Sequence, residues 1–548
     1  MALLTVANLA ALLHVLYVAR VDTVRYELRW PGDQAGGPFG GFALFLAVAI
    51  ALGAAVWARG HLGKNKLHWS RVVIAAWPAA LPVVWIAYAL DPRAGFLMVL
   101  AAIVASGWGG ARFVDAVLRY RENPAASAAI SAVDVTAAEQ HAPVARWWQE
   151  PAFWAVVGLT GVLAVFHTWV QIQMHRMLEY GSPDIGYYTE MLLNVLRGRG
   201  LRSEAFGHHF FGEHFSPGLY LLVPFFAACP RIEFLMALGA IAVLSGAWAI
   251  YALTRVSSGS SAAATLLALA YLLYPSNSRV IYGASYGFHE ILLALPLMLW
   301  SFYVYTRQRW LCFLLFALLA LSFKEDVAIV YAMFGLYVAV FSRRWCGLLL
   351  GAGCVLYFVV TIRWIVPAFN EQGTYSKYYL YAGLGGTPGG IVAHFFQNPT
   401  LLLGRLFTWR PLGYAMTLTA PLALAPLRRP VVLAALPTFI FICLMDTPDF
   451  ASIKFWHQAT LLPILWLATL QSIAPCGTRR TIRPGMMTAV LVCTGLTHYA
   501  LGFSPISRVW RDVPLEHERE SALIARLHAL IPKSDAVQAS ARLSAHFI

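Results

Sequence analysis

Charge is what this sequence of 548 residues has least of: only 12% of it is Asp, Glu, Lys or Arg, about half the share in ordinary soluble domains. Such scarcity excludes a disordered chain and argues strongly against a soluble enzyme. Paired cysteines are missing too. The 7 Cys are scattered, mostly inside apolar runs, and no CxxC occurs, so neither a disulfide framework nor a zinc site is indicated. The sequence has no Gly-rich phosphate loop, no GxSxG elbow and no nucleotide fingerprint. Metalloprotease motifs fail on spacing. The zincin pattern after His289-Glu290 requires a histidine where Leu293 stands, and the inverted pattern fails because His209 lies too far before Glu213.

What is present is apolar. Hydrophobic residues make up 59% of the chain and mean hydropathy is +0.64. Runs of membrane-spanning length recur, which marks an all-α polytopic membrane protein. Fifteen spans are expected, near 2–19, 39–58, 71–90, 95–110, 151–174, 231–254, 261–275, 291–306, 310–323, 327–342, 346–366, 412–427, 430–446, 455–473 and 486–503. The run 215–230 is short and holds two internal prolines, so it is assigned to the interface. This divides the chain into an N-terminal four-helix extension at 1–110 and a cytoplasmic linker with a surface helix at 111–150. A transmembrane core at 151–503 follows, with an outer loop at 175–230, and then an outer tail at 504–548.

The formal net charge of +14 is a topology signal rather than a nucleic-acid one. With the N-terminus inside, the short inner loops hold Arg59, Lys64, Lys66 and Arg71; Arg255; Arg307 and Arg309; Arg343 and Arg344; Arg428 and Arg429; and Arg479, Arg480 and Arg483, with no acid among them. The C-terminus then lies outside. Five polar segments share that outer level: Tyr180–Glu190, His208–Pro217, Tyr286–Glu290, Phe323–Val327, and Asp446–Asp449 with Lys454 and His457. Each has an ordinary reading. Lys324-Glu325-Asp326 could be a solvated turn, Asp184 a turn residue after Pro183, and Tyr187 and Tyr188 part of an interfacial belt. Because a charge near mid-bilayer costs at least ~2.5–3.5 kcal/mol, five such segments at one level point to a shared polar site.

The motif order resembles a family of bacterial membrane proteins classed as domain of unknown function twenty seventy-nine, over roughly residues 151–548. The residues that carry the likeness are Asp184, Glu190 and Asn194; His214, Ser216 and Pro217; His289 and Glu290; Lys324, Glu325 and Asp326; and His457 with Pro463. Two departures stand out: Glu213 occupies a place usually held by Asp, and residues 1–110 lie outside the likeness. That family is similar to the GT-C superfamily of membrane glycosyltransferases. The resemblance implies a sugar moved from a polyprenyl-phosphate donor to an acceptor at the outer face of the bacterial cytoplasmic membrane, with inversion at the anomeric carbon. Asp184, Glu213 and Glu290 become the catalytic candidates and the candidate ligands of a divalent cation, Mg or Mn. His214, His289, Lys324, Glu325, Asp326, His457, Tyr187 and Tyr188 become candidates for substrate binding. The partners implied are the bilayer, the lipid-linked donor and an acceptor, with no nucleotide and no nucleic acid. The rival reading is a transporter or lipid flippase, which calls for ionisable groups at mid-bilayer and repeat symmetry between halves; neither is evident.

Overall fold

The computed structural model describes residues 12, 16, 20–29, 91–121, 146–180, 184–204, 207–474, 482–512, 518–531 and 546. The expected spans at 39–58 and 71–90, and most of 2–19, fall outside them. Among the described residues the chain is overwhelmingly helical. Four helices are long and apolar enough to cross a membrane: Arg93–Arg112, Pro151–Arg176, Ile232–Ser258 and Cys346–Phe369. Several other expected spans are real helices but short. Ser261–Leu273, Ile291–Thr306, Trp310–Leu321 and Val327–Phe341 have 13, 16, 12 and 15 residues, so they reach roughly 18–24 Å against a ~30 Å hydrocarbon layer. Two more are broken. The stretch expected at 412–427 is an α-helix only to Thr419 and then two 3-10 turns opened by Pro421 and Pro426, and 430–446 starts as 3-10 before Leu436–Leu444. Proline explains the breaks, since it lacks the N–H a continuing helix needs. The same chemistry shapes the interfacial run, a 3-10 turn at Pro217–Leu222 followed by a short helix at Val223–Ala228.

Helix ends follow local rules. The Ile232–Ser258 helix stops at Gly259, which takes the left-handed conformation (φ 72°), and Ser260 caps the next helix by accepting from the Ala263 amide. Small residues let helices meet backbone to backbone. A Cβ built on Gly335 would lie 2.5 Å from the Gly347 carbonyl oxygen, and one on Gly347 would lie 2.4 Å from that of Gly335. This crossing closes the hairpin of Val327–Phe341 and Cys346–Val360.

The N-terminal part differs from expectation in two ways. The helix drawn at 95–110 runs from Pro92 to Arg121, through the boundary expected at 110. It also packs against Pro484–Leu501 rather than standing apart: Gly107 sits beside Cys493 and Ala489, and Trp108 donates to the Ala423 carbonyl at 3.2 Å. The second difference is a small antiparallel hairpin, Arg20–Asp22 with Glu27–Arg29, in a chain expected to be all-α. Its turn residue Tyr26 is buried and donates to the Ala451 carbonyl at 2.5 Å, while Ser452 donates to the Thr23 carbonyl at 3.1 Å. The hairpin therefore braces the segment that carries Trp456 and His457.

Candidate functional site

Four segments distant in the chain meet at one place, and each is held there by its own local chemistry. Asp184 opens the helix Asp184–Leu196, where a carboxylate is favoured by the helix dipole. One turn on, Tyr187 and Tyr188 point inward. They are 6% and 4% exposed and pack on Phe210, with Tyr188 also against Phe288 and His289. That burial removes the interfacial-belt reading for both.

The segment 208–217 is clamped to the turn at 323–326. Ser216 donates to the Phe323 carbonyl at 2.8 Å and the Gly218 amide to the Ser322 carbonyl at 2.7 Å. A Cβ on Gly218 would fall 2.6 Å from Ser322 Oγ and 2.9 Å from the Phe323 ring, so glycine is what permits the approach. The Gly283–Glu290 segment arrives through left-handed backbone at Ala284 (φ 54°) and Ser285 (φ 73°), a conformation that costs non-glycine residues energy. It places His289 and Glu290 just before the helix Ile291–Thr306.

The side chains then form one connected network. Lys324 Nζ lies 3.0 Å from Glu290 Oε1 and donates to His214 Nε2 at 3.4 Å. His214 Nδ1 donates to Glu325 Oε1 at 2.8 Å, which also accepts from Tyr375 at 2.9 Å, while Glu325 Oε2 accepts from the Phe215 amide at 3.2 Å. Tyr188 donates to Glu290. This layer is dry: the Glu290 and Glu325 side chains are 0% exposed and that of Lys324 is 7%. A more open layer borders it. Asp184 Oδ2 lies 3.2 Å from His289 Nε2, and Glu213 pairs with His208 at 3.0 Å and with Lys377. His289 stacks on Trp456 with ring centres 3.4 Å apart, and its Nδ1 faces the Gly287 carbonyl at 3.2 Å. Its two ring nitrogens thus face oxygen atoms on opposite sides, one of the Asp184 carboxylate and one of the Gly287 backbone.

The electrostatics follow from burial and pairing. Burial is the largest influence on the Glu290 carboxyl and raises it, but Lys324, His214, His289 and the Tyr188 hydroxyl together outweigh it and hold the group at about 2. Burial and Lys324 together push His214 well below its usual value, which keeps it neutral between lysine and glutamate. Burial opposed by Lys377 leaves Glu213 lowered. Asp326 goes the other way: burial and the neighbouring Glu325 push its carboxyl up to about 7.

Of the expected site residues, Asp184, Tyr187, Tyr188, Glu213, His214, His289, Glu290, Lys324, Glu325 and Asp326 are brought together. His457 stands beside the network, among the rings of Phe450, Phe455 and Trp456, with its Nε2 buried and making no hydrogen bond. Asp446 and Asp449 do not join it and pair with Arg405 and Arg410. Glu190 and Asn194 serve the loop that follows: Glu190 accepts from the Ser203 hydroxyl and the Glu204 amide, and Asn194 donates to the Arg202 carbonyl at 2.8 Å. Sequence reasoning missed Tyr375, Lys377 and Trp456. The signal for the first two was a cluster of aromatic and basic residues, Tyr375-Ser376-Lys377-Tyr378-Tyr379, between the spans expected at 346–366 and 412–427.

Hard oxygen ligands such as those of Asp184, Glu213 and Glu290 suit Mg or Mn in kind. Their arrangement does not suit it, since each carboxylate is already engaged with a different side chain: Asp184 with His289, Glu213 with Lys377 and Glu290 with Lys324. Among the described residues no group of three or more His, Cys, Asp or Glu converges on one point.

Residues 174–547 match the family described as predicted membrane protein, DUF2079, and the chain belongs to it. The helix Pro151–Arg176 lies almost wholly before the matched region. No curated protein and no solved structure matches the chain.

Proposed function

We propose that this member of the DUF2079 family is a GT-C-type membrane glycosyltransferase, moving a sugar from a polyprenyl-phosphate donor to an acceptor hydroxyl at the outer face of the cytoplasmic membrane. The observation that carries the reading is a buried network around Lys324 with a partly open Asp–His pair at its rim. Its Asp184 side chain is 26% exposed. In the reaction Asp184 takes the acceptor hydroxyl proton. The hydroxyl oxygen bonds to the anomeric carbon, the bond from that carbon to the phosphate oxygen breaks, and the electron pair leaves with the polyprenyl phosphate. Attack from the face opposite the phosphate inverts the configuration.

The residues divide this work by charge. His289, held between Trp456 and the Gly287 carbonyl, orients Asp184 through the contact of its Nε2 with Asp184 Oδ2. Lys377 is the cation open to a departing phosphate, with Lys324 held by Glu290 behind it, and a low-dielectric setting strengthens such contacts. Lys377 is the more accessible, with 22% of its side chain exposed. The test is direct. Purified protein in nanodiscs is given a panel of polyprenyl-phosphate sugars, and release of polyprenyl phosphate is followed by mass spectrometry. Turnover of at least one donor that disappears in Asp184→Asn is expected; no turnover across the panel overturns the reading.

A further inference from the structure

Beside the charge network lies an open cavity of about 350 Å³, lined by Arg202, His208, His209, Ala368, Phe369 and Glu371 among others. It sits at the small end of the range of ligand pockets, roughly 300–1,000 Å³, with room for about one or two sugar rings. Its walls are built. Arg202 and His209 form an isolated antiparallel bridge, so their side chains project to the same side, and the Phe210 amide closes the pairing on the Leu201 carbonyl at 2.8 Å. Glu190 and Asn194, two motif residues outside the charge network, hold this segment from behind through Ser203, Glu204 and the Arg202 carbonyl. The opposite wall is fixed by Asn370, which donates to the Gly212 carbonyl at 3.1 Å, and by the close seat of Phe369 on Gly212.

The lining has the chemistry of a carbohydrate site. Phe369 stands with ring centres 5.0 Å from His209 and 5.4 Å from Phe211, and it is 44% exposed. That presents an aromatic face, apolar and negative at its centre, to the C–H side of a sugar ring. Around it Arg202 supplies donors and Glu371 supplies acceptors, the pair that a polyhydroxyl ligand needs. His208 links the cavity to the charge network. It lines the cavity and bonds Glu213 at 3.0 Å, and Glu213 is held by Lys377 in the candidate site.

We infer that this cavity binds the carbohydrate acceptor. As a sugar site it stands on its own geometry; as the acceptor subsite it rests on the proposed transfer. The test uses the full chain in nanodiscs and saturation-transfer NMR with soluble probes: the methyl glycosides of glucose, galactose, mannose, N-acetylglucosamine and glucuronic acid. At least one probe should bind the wild type. That binding should weaken about tenfold or more in Arg202→Ala, as expected for a lost bond to a charged group, and also in Phe369→Ala. It should be blocked by Ala368→Trp, which fills the space without removing a polar group, while Asp184→Asn should still bind. Thermal melts identify any variant that fails to fold. Binding by none of the probes, or equal binding by all three cavity variants, overturns the inference. Probe binding that follows the cavity variants without turnover of any lipid-linked donor upholds the sugar site and fails the transferase reading. Donor turnover with an acceptor KM unchanged by the cavity variants does the reverse.

Discussion

Asp184 and Lys324 illustrate how differently two charged residues of one site respond to substitution. Asp184 is partly open and opens a helix, so Asp184→Asn keeps shape and hydrogen-bonding capacity. As the proposed base it should lose at least about a hundredfold in turnover, with little change in melting temperature or donor binding. Near-native turnover in that variant would return Asp184 to the role of a helix-start residue. Lys324 is buried against Glu290. Lys324→Ala leaves a buried carboxylate without its cation and should cost about 3–5 kcal/mol of stability, measurable by denaturant or thermal unfolding in detergent. Adding Glu290→Gln should recover much of that loss. No recovery in the double variant would show that the pair is not coupled. Asp326 supplies a pH signature. Its folded carboxyl is raised to about 7 from an ordinary 3.8, so the folded state holds the proton more tightly than the unfolded chain. Its contribution is complete below about pH 4 and is lost as pH rises towards 7. Asp326→Asn should flatten the decline in melting temperature between pH 4 and pH 7, and an unchanged slope in that variant would place the titration elsewhere.

Among the elements, the joint between the 208–217 segment and the 323–326 turn deserves the sharpest test. Gly218 sits where a methyl would press on Ser322 and Phe323, and the same joint brings His214 to Lys324 and Glu325. Gly218→Ala should destabilise by about 1–3 kcal/mol through overpacking, and it should lower turnover by separating His214 from Lys324. A variant with wild-type melting temperature and rate would mean that the turn yields freely. The sequence revealed the segments but not this joint. Ser216, Pro217 and Gly218 read locally as a helix start, and nothing in their spacing says that they grip a turn more than a hundred residues later.

For the molecule as a whole, the orientation rests on the basic loops, and it can be tested from either side. In a cysteine-free background, a cysteine replacing Gly373 should react with a membrane-impermeant maleimide in intact cells. One replacing Arg343, at the other end of the helix Cys346–Phe369, should react only after permeabilisation. Labelling of the two in the opposite order would invert the assignment and move the candidate site to the cytoplasmic face.

Composition and apolar runs were enough to determine a helical membrane protein, and the position of its polar segments in the chain, because the cost of burying charge in lipid acts on every residue regardless of its neighbours. Span lengths were less legible. A run of apolar residues looks the same whether it forms one helix or, as at Pro421 and Pro426, a helix and two tight turns. The pairing of charges was not legible at all. Lys324, Glu290 and His214 are 34 to 110 residues apart, and only the packing of their helices decides that the lysine meets one carboxylate while the histidine bridges it to another. Trp456 stacked on His289, and Lys377 brought onto Glu213, belong to that same class. Contacts between distant segments depend on relative helix positions, and local sequence carries no term for those.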